Sequence, residues 1–285
     1  MEMASLTQKQ LREKFFHSTD YHRIPGGRKK LEFLFSVLME RRAIGRQVSV
    51  LDVGCGNGGI AFAVASLGCE VLGVDVNEAS ISHARKTNRY PNARFEVVAD
   101  RGFDLKKRYD LIICSEVLEH LFNPQRLLNT MARHLKDNGL LLITVPNGYG
   151  PREVLGRTEA FIRTKLGLAG LVDRARTAMG VIDAAEKCAV HTSNPDQDHV
   201  QKFTMRGLGE LVTKAGLCVV KRMNSIFILS VALRGKSRIM DSLDARLADY
   251  LPPWVVSGWY VLCGRAVGSE GHSGRSDALA RDCNG

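Results

Sequence analysis

Asp52 stands two residues ahead of a Gly54-x-Gly56-x-Gly58 run, and Asp75 follows Gly58 by 17 residues. Glycines at this spacing let a chain turn tightly and bring its backbone close to a ligand. A carboxylate at Asp75 could accept hydrogen bonds from both hydroxyls of a ribose, as acidic residues do after the second strand of a nucleoside-binding sheet. The loop is G-x-G-x-G rather than G-x-G-x-x-G, so the dinucleotide fingerprint is not met. Asp52 would also repel a pyrophosphate and would suit an ammonium group. The charge logic points to a nucleoside with a cationic tail.

A second constellation is Glu116, Glu119 and His120. If this segment is helical, the three stand at i, i+3 and i+4 and share one face. Two carboxylates and an imidazole could orient a base or bind a divalent cation. They could equally brace local structure.

These residues need a scaffold, and the pattern supplies one. Val48–Val53 is an apolar run that ends at the glycines, and Ile60–Leu67 reads as a helix stopped by Gly68. Strands are expected at Glu70–Val74, Arg94–Ala99, Tyr109–Cys114 and Leu140–Val145, with helices after the second and fourth. Strands alternating with helices imply right-handed crossovers and a parallel sheet. A helix at Met205–Ala215 and strands at Leu217–Arg222 and Ile226–Leu233 would complete it, the last strand antiparallel. The expected fold is α/β: a Rossmann-like, doubly wound, mostly parallel seven-stranded sheet. The expected parts are a helical N-terminal cap over 1–47, a cofactor-binding core over 48–147 and an insertion after strand five over 148–202. The remaining strands and an aromatic segment fill 203–267, and 268–285 reads as a disordered tail. An insertion at that place lies on the carboxyl edge of the sheet, where ligands bind.

LDVGCGNG resembles the first motif of the class I S-adenosylmethionine-dependent methyltransferases. The resemblance continues in order through Gly73-Val74-Asp75, Val97-Val98-Ala99-Asp100, the run from Tyr109 to His120, and Leu135–Gly139, ending at Pro146-Asn147. It covers about 100 residues. The EVLEHL run is similar to the subgroup that includes the ubiquinone-biosynthesis O-methyltransferases. The resemblance implies S-adenosyl-L-methionine as cofactor and S-adenosyl-L-homocysteine as product. It places Asp52, Gly54 and Gly56 around the methionine part, Asp75 on the ribose and Val76 against the adenine, with Gly58 also among the cofactor-binding residues. Asp100 would accept from the adenine amino group with Arg101 beside the ring, and Ser115 would touch the methionine end. Arg28 would pair with the cofactor carboxylate. His120 becomes the candidate base, with Glu116 and Glu119 beside it. His199, ahead of Phe203-Thr204, approximates a family pattern that places a histidine near the substrate, and Tyr149 is the other acceptor candidate. No residue set is assigned to a resident metal, although some ubiquinone-type relatives look metal-dependent.

The expected reaction is methyl transfer to a small-molecule hydroxyl in a quinone-pathway, natural-product or glycan/lipid acceptor. N- or C-transfer is the alternative. A non-catalytic cofactor-binding scaffold is disfavoured by the intact motif. The net charge of +10 could suit nucleic acid. However, residues 48–147 carry 11 basic and 11 acidic side chains, and the surplus lies in the flanks. Basic residues are not interleaved with aromatics, so no nucleic-acid partner is expected. Seven scattered cysteines without C-x-x-C spacing argue against disulfides or structural zinc and fit a reducing cytoplasm. YLPPWVVSGWYVLC, residues 250–263, could be core, a dimer face or an interfacial anchor, so peripheral contact with a membrane's inner face stays open, as does monomer or homodimer.

Overall fold

The computed structural model describes residues 6–21, 26–41, 48–99, 102–178, 199–227 and 238–266. Two helices precede the sheet: α1 (Gln8–His17) and α2 (Gly27–Glu40). Thr7 and Gln10 close a reciprocal capping box at the start of α1. The sheet then builds through β1 (Ser49–Val53), α3 (Gly59–Ser66), β2 (Glu70–Asp75), α4 (Glu78–Thr87), β3 (Ala93–Val97) and β4 (Tyr109–Ser115). A 3-10 turn (Leu118–His120), α5 (Pro124–His134) and β5 (Leu135–Pro146) follow. The insertion holds α6 (Pro151–Thr164) and α7 (Ala169–Ala178). Then come α8 (Met205–Lys214), β6 (Leu217–Asn224), α9 (Arg238–Tyr250) and β7 (Gly258–Arg265).

Seven strands pair in the order β3-β2-β1-β4-β5-β7-β6. The first five run parallel, and β7 is antiparallel to both its neighbours. Side chains alternate across the sheet. Val50, Leu111 and Ile113 face a core shared with α1 to α4, whereas Leu51, Ile112 and Cys114 face one shared with α5 and α8. Burial on both faces explains why β1 and β4 read as continuous apolar runs.

Two expectations are corrected. The seventh strand is Gly258–Arg265, not Ile226–Leu233; Ile226 and Phe227 lie outside any strand, and 228–233 lie outside the described residues. The aromatic segment is therefore split. Trp259 is buried in β7 and its indole donates to Pro253 O at 2.8 Å, while Trp254 just before it is exposed. The expected tail lies outside the described residues.

Candidate active site

β1 enters the site along its axis. Gly54 N and Cys55 N both donate to Val74 O, at 2.8 and 3.1 Å, which bends the chain across the end of β2. Gly54, Gly56 and Gly58 all have positive φ, at 70°, 52° and 85°. A side chain at any of them would be strained. At Gly54 a Cβ would also lie 2.3 Å from a Val117 methyl. Gly58 works differently from the expectation: it caps α3 against Phe62 and Phe95 and does not line the cavity.

The loop, the ends of β2 and β4, and the N-terminal helices enclose a cleft of about 1590 Å³. That exceeds the roughly 300–1,000 Å³ of a pocket for one small ligand, so the cleft has room for more than one. Asp75 stands at its wall. Its carboxylate accepts from Gly56 N at 2.8 Å and from Asn77 N at 2.9 Å, which fixes its orientation and leaves lone pairs toward the cleft. Val76 is half exposed beside it.

Asp52 is buried and lines the same cleft. Burial, and then the Asp75 charge, pushes its carboxyl up to about 7. One of its oxygens, Oδ2, has no hydrogen-bond partner among the described residues. An orphaned buried carboxylate oxygen is costly unless something pairs with it, and a ligand ammonium would do so.

Lys30 brings a buried cation to the same cleft. Its Nζ lies 3.0 Å from the Tyr21 hydroxyl, 2.9 Å from Ser115 Oγ and 3.1 Å from Glu116 Oε1. Burial would lower this ammonium, but Glu116, Tyr21 and Tyr260 outweigh it and raise it above its ordinary value. Arg28 does not stand where the expected role would need it. It points to solvent, pairs with Glu32 at 3.2 Å and lies outside the cleft. Successive helix residues turn by about 100°, so Arg28 and Lys30 stand on opposite sides of α2.

Beyond β4 the expected helix face is replaced by a sharper bend. Glu116 has φ 55°, left-handed for a side-chain-bearing residue, and only Leu118–His120 forms a 3-10 turn. Glu116 therefore separates from Glu119 and His120. It takes Lys30 and accepts from Thr144 Oγ1 at 2.9 Å. Glu119 is fully buried, and burial together with Glu116 raises its carboxyl well above the ordinary range. His120 lines the cleft and meets a partner from the insertion: its ring lies edge-on to His199, with centroids 5.1 Å apart. His199 Nδ1 is 3.5 Å from Glu153 of α6. Glu119, His120 and His199 each bring a ligand atom to within 4.8 Å of the others, so they are the residues that could hold a cation here.

Ser115 lies on the wall of the cleft beside Lys30. Tyr149 lies outside the cleft, exposed, with Arg157 over its ring. Asp100 and Arg101 lie outside the described residues. Sequence reasoning missed Lys30, Tyr21 and Tyr260. Tyr260 comes from β7, which pattern reading had not recognised as a strand, and its hydroxyl donates to Gly26 O at 3.1 Å.

Residues 16–222 match a family described as a methyltransferase domain. The ubiquinone biosynthesis O-methyltransferase of Rickettsia canadensis is 30% identical over 129 residues, 45% of this chain and 55% of that protein. The mitochondrial protein of the same name from Schizosaccharomyces pombe is 32% identical over 120 residues, 40% of this chain and 43% of that protein. The chain thus spans about half the length of the curated relatives it matches. Among solved structures, the PH0226 protein of Pyrococcus horikoshii superposes with a TM-score of 0.51 at 17% identity, covering 92% of this chain and all of that one. The (4+2)-cyclase SpnF superposes at 0.50 with 16% identity, covering 84% of this chain and 82% of that one. At such identities the likeness shows the fold alone, and the cyclase illustrates that one fold carries different chemistries.

Proposed function

The chain belongs to the methyltransferase-domain family, and on that premise we propose that it moves the methyl group of S-adenosyl-L-methionine to a small-molecule hydroxyl. One observation carries the reading. A buried carboxyl with an orphaned oxygen (Asp52) and a buried ammonium (Lys30) line one cleft with a fixed carboxylate (Asp75). The first two complement the ammonium and carboxylate of an amino acid, and the third complements a ribose diol. When bound, the cofactor supplies an activated methyl group on a sulfonium. The protein then has to orient the acceptor, exclude water and take a proton. Orientation alone supplies up to about 7–11 kcal/mol in well-aligned systems.

His120 is the proton acceptor in this reading, with His199 from the insertion beside it. The relatives' name favours a quinone-pathway phenol over a natural-product or glycan hydroxyl as acceptor. A divalent cation at Glu119, His120 and His199 is a second reading, supported by the closeness of their ligand atoms. Activity that is lost with a chelator and restored by Mg²⁺ or Zn²⁺ would select it.

The test has two stages. Calorimetry should show binding of S-adenosyl-L-methionine and S-adenosyl-L-homocysteine. A turnover screen across phenols, sugars and amines should then return a hydroxyl acceptor. No cofactor binding would leave a scaffold, and an amine acceptor would move the reading to N-transfer.

A further inference from the structure

β6 and β7 are antiparallel neighbours, and a tight turn suffices to join such a pair. This chain instead puts residues 225–257, with α9, between them. β5 and β6 both run antiparallel to β7, so β6 ends at the sheet edge where the parallel strands end. That is the edge where open α/β sheets hold ligands. Ser225, Ile226 and Ser257, at the two ends of the excursion, line the cleft. They lie far from its ribose side: four strand spacings of about 4.8 Å separate β7 from β2, which carries Asp75. Ser225 is buried and its backbone is fixed twice. Its N–H donates to Gly258 O at 2.9 Å, and its carbonyl accepts from Lys29 Nζ at 2.9 Å. Its hydroxyl has no hydrogen-bond partner among the described residues, whereas the Ser257 hydroxyl donates to Phe227 O. A hydroxyl on a cleft wall without a partner in the protein is placed for water or a ligand. Lys29 does the fixing. Its three N–H groups meet three acceptors, Ser225 O, Ala245 O at 2.6 Å and Asp249 Oδ1 at 2.6 Å, which ties α2 to the bend after β6 and to α9. Asn224 holds the same bend from the strand side, donating to Ala248 O at 2.8 Å and Leu251 O at 2.9 Å.

We propose that Ser225 is a specificity-determining residue that receives a neutral hydroxyl or carbonyl group of the acceptor, with Lys29 as the positioning residue that holds it there. The inference rests on the methyl-transfer reading. In that reading Asp52, Lys30 and Asp75 meet the cofactor, which leaves the wall built by β7 and the excursion to the acceptor. Charge selects the class of group. Lys29 already has its three acceptors, Lys30 serves the cofactor, and among the described residues the excursion brings no cation to the cleft. A carboxylate or phosphate at Ser225 would lose its hydration without gaining a counter-ion. A serine hydroxyl both donates and accepts, so it pairs with an alcohol or a carbonyl alike. The group it meets is not the reacting hydroxyl. That one belongs to His120, which follows β4, whereas Ser225 follows β6, three strands away. The acceptor therefore carries a second, neutral oxygen at its far end. A site built to hydrogen-bond such a group rejects the analogue that lacks it more strongly than an apolar pocket could.

Three phenols with one ring and different far ends test this: 4-ethylphenol, 4-(2-hydroxyethyl)phenol and 4-hydroxyphenylacetate. They carry no oxygen, a neutral hydroxyl and a carboxylate there. Formation of S-adenosyl-L-homocysteine from S-adenosyl-L-methionine by the full chain gives kcat/KM for each. The alcohol should be preferred over both others about tenfold or more. Ser225→Ala should bring the ratio of the alcohol to 4-ethylphenol close to one, and Ser225→Thr, which keeps the hydroxyl, should retain most of it. Lys29→Met should lower the same ratio, chiefly through KM for the alcohol. A merely structural lysine would lower activity on all three phenols together and leave the ratio unchanged. Should Lys29→Met fail to fold, Asp249→Asn weakens one of the three contacts at a half-exposed position and should move the ratio the same way. The proposal is overturned by equal kcat/KM for the alcohol and 4-ethylphenol in the unaltered protein, or by preference for the carboxylate. A ratio untouched by Ser225→Ala, or by both Lys29→Met and Asp249→Asn, overturns it too. So does turnover of none of the three phenols, and calorimetry then tells the failures apart: cofactor binding that is also absent removes the methyl-transfer reading itself.

Discussion

Lys30 Nζ and Glu116 Oε1 lie 3.1 Å apart and join the N-terminal helical layer to the bend after β4. The pair joins two different chemistries. In the proposed reading Lys30 is the cation for the carboxylate of the cofactor, and Glu116 fixes where that cation stands. Glu116 reaches it through a left-handed backbone conformation, φ 55°, which costs roughly 1–3 kcal/mol and persists only where surroundings over-determine it. The Thr144 hydroxyl and Lys30 are those surroundings.

Lys30→Met should weaken S-adenosyl-L-methionine binding about tenfold to a hundredfold, the loss of one charge-assisted contact of ~1.5–3 kcal/mol. Arg28→Ala should change it by less than about twofold, because its partner is Glu32 at the surface and exposed pairs are worth little. Calorimetry on both variants decides which cation serves the cofactor. A large loss with Arg28→Ala and none with Lys30→Met would restore the assignment drawn from the motif.

Lys30 was legible in principle. Lys30, Leu34 and Val37 fall at i, i+4 and i+7 on the buried side of α2, so a lysine stands in an apolar stripe. It closes a run of three consecutive cations, Arg28-Lys29-Lys30, a pattern that by itself suggests a solvated face. Lys29 is buried as well, with Nζ 2.6 Å from Asp249 Oδ1, tying α2 to α9. The glycine loop and Asp75 were legible because backbone geometry forces their residue types. β7 was not. Ile226–Leu233 and Gly258–Arg265 are comparably apolar, and a strand buried on both faces shows no alternation to choose between them. The Glu116–His120 segment misled for a related reason: helical spacing was satisfied, but a single left-handed residue breaks the face.

Asp52 should make cofactor affinity depend on pH. Its carboxyl is raised to about 7 in the free protein, and an ammonium-bearing ligand needs the ionised form. Affinity should therefore be steady above pH 8 and fall as the pH drops through 7, approaching about tenfold per unit below it. The stability of the free protein should run the other way. The folded state binds the proton more tightly than the unfolded chain, whose aspartate titrates near 3.8, so this group's contribution is full below pH 4 and lost as the pH rises toward 7. Asp52→Asn should flatten both curves while weakening binding at pH 8. Titrations and melting curves between pH 5 and 8.5 read both effects, and an unchanged slope in the variant would assign the pH dependence to another group.

Gly54→Ala should test whether the loop and the 3-10 turn are one mechanical unit. The new methyl would be 2.3 Å from Val117 Cγ2, and φ is 70°. Strain plus overpacking should cost about 2–4 kcal/mol of stability. Val117 precedes the turn carrying Glu119 and His120, so the double variant with Val117→Ala should recover part of the melting temperature. Full stability in Gly54→Ala alone would mean that the turn moves freely.

His120→Ala should separate binding from chemistry. His120 lines the same cleft as Asp52, Asp75 and Lys30, and the proposed reading gives it to the acceptor and those three to the cofactor. Cofactor affinity should stay within about twofold, whereas turnover of the hydroxyl acceptor found by screening should fall about 10²- to 10⁴-fold, the range for removing a positioned base. His199→Asn should act differently. Its ring stands edge-on to His120 and reaches Glu153 of α6, so it couples the insertion to the base. The expected signature is a raised KM with a smaller loss in kcat, since the insertion side of the acceptor site is loosened while His120 remains. Near-normal turnover in His120→Ala would remove it as the base and turn attention to the buried Glu119. Equal losses of kcat in both variants would instead fit a shared cation held by the two imidazoles, which the metal titration would then reveal.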